Sequence, residues 1–135
     1  MENLAIDAGA VEYRIAGGGA LRFNPADPNL YSRFLTAGKQ LEKIEKDLLC
    51  QAKDANAEQM VALLASADSK MKKLLNEVFG GDNDFHKALG GISLLARGRN
   101  GKTVAENLFS ALETVLENGA RQLVEARVAD VRSGL

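Results

Sequence analysis

Three long stretches of this sequence place their apolar residues on or near one helical stripe, a pattern that only a helix turns into one continuous face. Residues 28–53 carry Leu30, Phe34, Leu41, Ile44 and Leu48 on one side, with Gly38 open to a close crossing. Lys39, Glu42, Lys43, Glu45 and Lys46 fall on the other side. Residues 57–79 carry Met60, Leu64, Ala67, Met71, Leu74 and Val78 in alternating steps of four and three, and residues 103–132 carry Val104, Leu108, Leu112, Val115, Leu123, Val128 and Val131 on or near one stripe. Start signals open all three, and a stop signal closes the second. Asp27-Pro28 opens the first, since Asp caps free N–H groups and Pro lacks a donor that would go unused there. Asn56 with Gln59, and Thr103 with Glu106, have the spacing of reciprocal capping boxes. Gly80-Gly81 predicts a left-handed cap at the end of the second helix, and Gly119 is a weak point in the third.

Before the helices, Val11-Glu12-Tyr13-Arg14-Ile15 and Leu21-Arg22-Phe23 alternate apolar and polar residues around a run of three glycines. This pattern predicts a β-hairpin over about 11–23, after a loose lead-in of residues 1–10. A hairpin alone is marginal in water and needs a helix or a partner's sheet to lie on. The expected fold is mainly α: three main helices at about 28–53, 57–79 and 103–132 with this short hairpin, in a single domain spanning 1–135. A short helix or turn is expected around residues 84–89.

Basic and acidic residues number 17 and 18, so no net field draws nucleic acid or a membrane surface to the chain. Cys50 is the only cysteine, which excludes an intrachain disulfide and suits a reducing cytoplasm. The first residues lack the positive leader and apolar core of a secretory signal. No apolar run approaches the ~20 residues of a membrane span.

The sharpest motif is Ala96-Arg97-Gly98-Arg99-Asn100-Gly101-Lys102-Thr103, which fits the loosest form of a phosphate-binding loop. Gly101, Lys102 and Thr103 could take the usual parts, with residues 92–96 as the preceding strand. The wider pattern argues against it, because that chemistry needs a parallel sheet and a second strand ending in aspartate. Only a helical pattern follows Thr103, and the other strand candidates form an antiparallel hairpin. The motif reads better as a loop that opens a helix, and no enzyme activity is expected.

His86, with Asp82, Asp84 and Cys50, lacks the three or four spaced ligands of a metal site. Asp82 and Asp84 suit turns and caps, and Cys50 suits a small buried or half-buried position. No cofactor is expected. Lys70, Lys72 and Lys73 read as a solvated helix face or a docking patch for an acidic partner. Arg97, Arg99 and Lys102 form a denser basic loop that suits an acidic protein. Nucleic acid fits it less well, because no aromatic residue interleaves the charges for base stacking.

Two segments have a more specific order. The first runs strand, glycine turn, strand and then Phe23-Asn24-Pro25-Ala26-Asp27-Pro28-Asn29-Leu30-Tyr31-Ser32-Arg33-Phe34. The second joins Val78-Phe79-Gly80-Gly81 to Phe85, then a polar interruption, then Asn107-Leu108-Phe109-Ser110-Ala111-Leu112. This order resembles the small tail assembly chaperones of long-tailed (siphovirus-type) phages and prophages. The chain departs from their usual pattern in having Gly81 before Asp82, and His86 after Phe85.

The resemblance implies a non-enzymatic helical protein that binds the tape-measure protein in the cytoplasm of the bacterial host. It would keep that long apolar coil soluble until tube subunits replace it, and would be absent from the finished virion. The tail tube protein is a second candidate partner, and self-association into a homo-oligomer is open. The competing reading is a virion or oligomeric adaptor whose hairpin augments a neighbour's sheet. Candidate partner contacts are Tyr13, Phe23, Phe79 and Phe85, with the basic Arg97, Arg99 and Lys102. Plain core packing is the other reading of the four aromatics.

Overall fold

The computed structural model describes residues 1–15 and 17–134; Ala16, inside the expected hairpin, and Leu135 lie outside the described residues. Strands β1 (Val11–Arg14) and β2 (Ala20–Phe23) pair antiparallel, with Val11 opposite Phe23 and Arg14 opposite Ala20. Alternation sends Leu21 and Phe23 into the core and leaves Arg22 exposed. The turn rests on the short helix α3 (Phe85–Ala88), where the Gly19 N–H donates to the Ala88 carbonyl at 2.9 Å. Helix packing thus supplies what an isolated hairpin lacks. The lead-in is held at one point, by the Asn24 side-chain amide donating to the Ala8 carbonyl.

Helices α1 (Pro28–Ala52), α2 (Ala57–Phe79) and α4 (Val104–Arg132) match the three periodic stretches. Asp27 accepts from the Asn29 N–H at the head of α1, and both expected capping boxes form, at Asn56/Gln59 and Thr103/Glu106. The end of α2 differs from the expected left-handed cap. Gly80 has φ 63° but ψ −163°, a conformation essentially confined to glycine. Asn83 accounts for the direction, because its amide donates to both the Gly80 and Arg22 carbonyls and its oxygen accepts from the Arg22 N–H. The chain leaving α2 is thereby tied to β2. Residues 92–96 form turns instead of a strand, and fully buried Leu94 plugs the core from them.

All five phenylalanines and Tyr13 join in one cluster that touches every element. Tyr13 stacks on Phe23 at 4.8 Å, Phe23 meets Phe79 edge-on at 5.0 Å, and Phe79 meets Phe85 at 5.2 Å and Phe34 at 6.3 Å. Phe34 stacks on Phe109 at 4.0 Å. Gly38 makes the last contact possible, since a Cβ there would lie 2.7 Å from the Phe109 ring.

Lys72 corrects the reading of a solvated lysine face. It is 4% exposed, and its ammonium group meets Asp68 at 2.9 Å, the Ile92 carbonyl at 2.7 Å and His86 Nδ1 at 2.9 Å. Those partners use all three of its N–H donors, so His86 must accept through Nδ1. Lys70 and Lys73 do face solvent. Cys50 is exposed, contrary to the expected buried or half-buried position, because among the described residues α2 alone packs against the outer end of α1.

Gly119 is a contact point, and its place in the helix follows from space. It is buried against the turn before α1, where a Cβ would fall 1.9 Å from the Pro25 carbonyl oxygen. Gly119→Ala should therefore destabilise the fold by about 1–2 kcal/mol in urea titration, because overpacking of about 1–3 kcal/mol outweighs a helix-propensity gain of up to ~1.

Candidate functional site

Helix α4 runs antiparallel to α1. Ala105 lies near Leu41, Phe109 over Phe34 and Gly38, and Gly119 on Pro25. This pairing begins partway along α1, so α4 starts level with Leu41 and Met71 while α1 continues to Ala52 and turns into α2. The outer end of the α1–α2 hairpin, closed by residues 53–56, has no third helix over it among the described residues.

A groove of about 420 Å³ marks where the cover stops. Leu35, Gly38, Leu41, Met71, Ala105 and Phe109 form its floor and sides, while Glu42, Glu45, Glu106, Glu113 and Lys39 stand around it. Four carboxylates against one ammonium give it an acidic rim. Helical periodicity carries the same face outward. Leu49 lies one turn beyond Glu45, and Leu64 and Met60 lie two and three turns before Met71. Leu49, Met60 and Leu64 are 61%, 40% and 38% exposed, while Met71 on the same stripe is 1% exposed. The expected α2 stripe is thus half core and half open surface, and α4 ends its burial.

The residues expected to contact a partner fall elsewhere. Phe23, Phe79 and Phe85 are core residues, and Tyr13 is half-buried on Phe23. Arg97, Arg99 and Lys102 are exposed together in the loop before α4. That loop folds back on itself, with Arg97 bridged to Thr103 and the Arg97 guanidinium donating to the Gly101 carbonyl. The N–H groups of Gly98, Gly101, Lys102, Thr103, Val104 and Ala105 all donate to acceptors within the protein. A phosphate cradle needs such groups free and convergent; here they build the loop and cap the helix.

Other candidate chemistry is equally committed to structure. No group of three or more His, Cys, Asp or Glu side chains close enough to hold a metal occurs among the described residues. Asp84 caps α3 as expected, and His86 is engaged with Lys72. No described helix is long and apolar enough to cross a membrane. The β2 edge at Arg22 is filled by the Asn83 amide, which removes that position from pairing with another strand.

The groove escaped the sequence reading because its floor and rim come from three helices at once. Only one signal pointed to it: Leu35 and Leu49 each directly follow a core residue, outside the buried stripe. Comparison with protein-family models, curated proteins and solved structures finds no match for this chain.

Proposed function

We propose that this chain is a non-enzymatic assembly chaperone, of the phage tail assembly kind, that holds a helical segment of the tape-measure protein. The observation that carries this reading is the half-covered α1–α2 hairpin, whose open apolar face continues into an acid-rimmed groove. Such a surface suits an amphipathic helix with an apolar stripe and basic flanks, laid in as the missing third helix of a bundle. A tape-measure coil presents apolar stripes that need cover until the tube forms around them. Binding would occur in the host cytoplasm and end when tube subunits displace the chaperone, leaving none in the finished virion.

Co-expression with helical segments of the tape-measure protein from the same genome tests this. The expected result is soluble partner only alongside this chain, and co-elution of the two. Leu49→Asp should weaken capture about tenfold or more, as loss of an apolar anchor does, while leaving the melting temperature of the free chain nearly unchanged. Raised salt should also weaken capture if basic flanks meet the acidic rim. A partner that neither binds nor changes solubility would overturn the proposal, whereas retention of this chain in finished particles would favour the adaptor reading.

A further inference from the structure

Past Gly119, α4 leaves the body of the molecule and runs on through residues 120–132 for about 20 Å. Val124, Val128 and Val131 on this arm are 61%, 43% and 65% exposed, and their i, i+4, i+7 spacing makes one stripe. The uncovered stretch of α1 from Glu42 to Ala52 is about 15 Å long. Among the described residues, one chain therefore carries an amphipathic helix with an unpartnered apolar stripe at one end and a vacant helix-shaped face of similar length at the other.

Direction and charge agree as well. Within one copy, α4 starts level with Leu41 and runs away from the outer end of the α1–α2 hairpin toward its base. An arm from a neighbour stacked in the same orientation would enter at that outer end, collinear with the receiving α4. The arm bears Arg121, Arg127 and Arg132 against Glu125 and Asp130, and it would meet the glutamate rim. Arg121 pairs with Glu117, just before the arm, and Arg127 with Asp130 within it, both through exposed contacts that are readily exchanged.

We propose that the C-terminal arm of α4 in one copy docks on the open α1–α2 face of a second copy and supplies its third helix. The contact is head to tail, so every bound pair retains a free face and a free arm. Growth then proceeds to a ring or an open chain, because this contact does not close on itself as a symmetric dimer does. The inference uses the same face as the functional reading without depending on the client's identity, and it makes arm and client competitors.

Analytical ultracentrifugation over a concentration series tests it, with the full chain, Val128→Asp on the arm and Leu49→Asp on the face. Both positions are exposed, and far-UV circular dichroism checks that each variant folds. The full chain is expected to associate beyond dimers as concentration rises, and each variant should lose affinity about tenfold or more. An equimolar mixture of the variants should form a 1:1 complex and stop, since one contributes the intact face and the other the intact arm. A full chain that stays monomeric overturns the proposal. So does association that neither variant weakens, or a mixture that forms no complex. Val128→Asp should still capture the tape-measure segment, so failure of that capture would count against the functional reading alone.

Discussion

Phe79→Ala is expected to cost about 3–5 kcal/mol of stability, read as a lower urea midpoint at an unchanged slope. Phe79 is the ring where the cluster branches, touching Phe23 from the hairpin, Phe34 from α1 and Phe85 from α3. Truncation removes a large buried apolar area and opens a cavity between elements that cannot all collapse into it. Phe79→Leu keeps much of the volume and should cost markedly less. If the alanine variant lost under about 1 kcal/mol, Phe79 would not be the junction of this core.

Lys72→Ala should destabilise by a similar amount, about 3–5 kcal/mol, for a different reason. The lysine is desolvated, and deleting it leaves the Asp68 carboxylate and the Ile92 carbonyl without their shared donor. Asp68 also accepts from the Leu94 N–H, so strain at this pair reaches the segment that plugs the core. The double variant Asp68→Asn, Lys72→Met should cost less than Lys72→Ala alone, because it removes the stranded charge. Strictly additive effects in the cycle of Asp68→Asn, Lys72→Met and their double variant would show that the two residues are not coupled.

The sequence made the helices legible because their apolar period and their caps act locally. Asp27, Asn56 and Thr103 mark starts whose partners lie within three residues, and the structure forms each of them. What escaped depends on neighbours distant in the chain. Lys72 looks like its exposed neighbours Lys70 and Lys73 until α3 and the Ile92 carbonyl close over it. Gly119 looks like a flaw in a helix until Pro25 lies against it. Met60 and Leu64 match the pattern of Met71, and only the starting level of α4 decides which of the three meets water. The aromatics near turns looked available for partners, yet those turns bring them into one cluster. The groove lies at the boundary between covered and uncovered surface, which periodicity along one helix does not reveal.

The position of Cys50 has a practical consequence. It is the chain's single cysteine, exposed near the outer end of α1 and next in sequence to Leu49. A maleimide dye would therefore attach at one site, beside the face in question, without a substitution elsewhere. Its emission and anisotropy could follow occupation of that face in real time, whether by client or by arm, and displacement of one by the other would appear as a measured exchange rate.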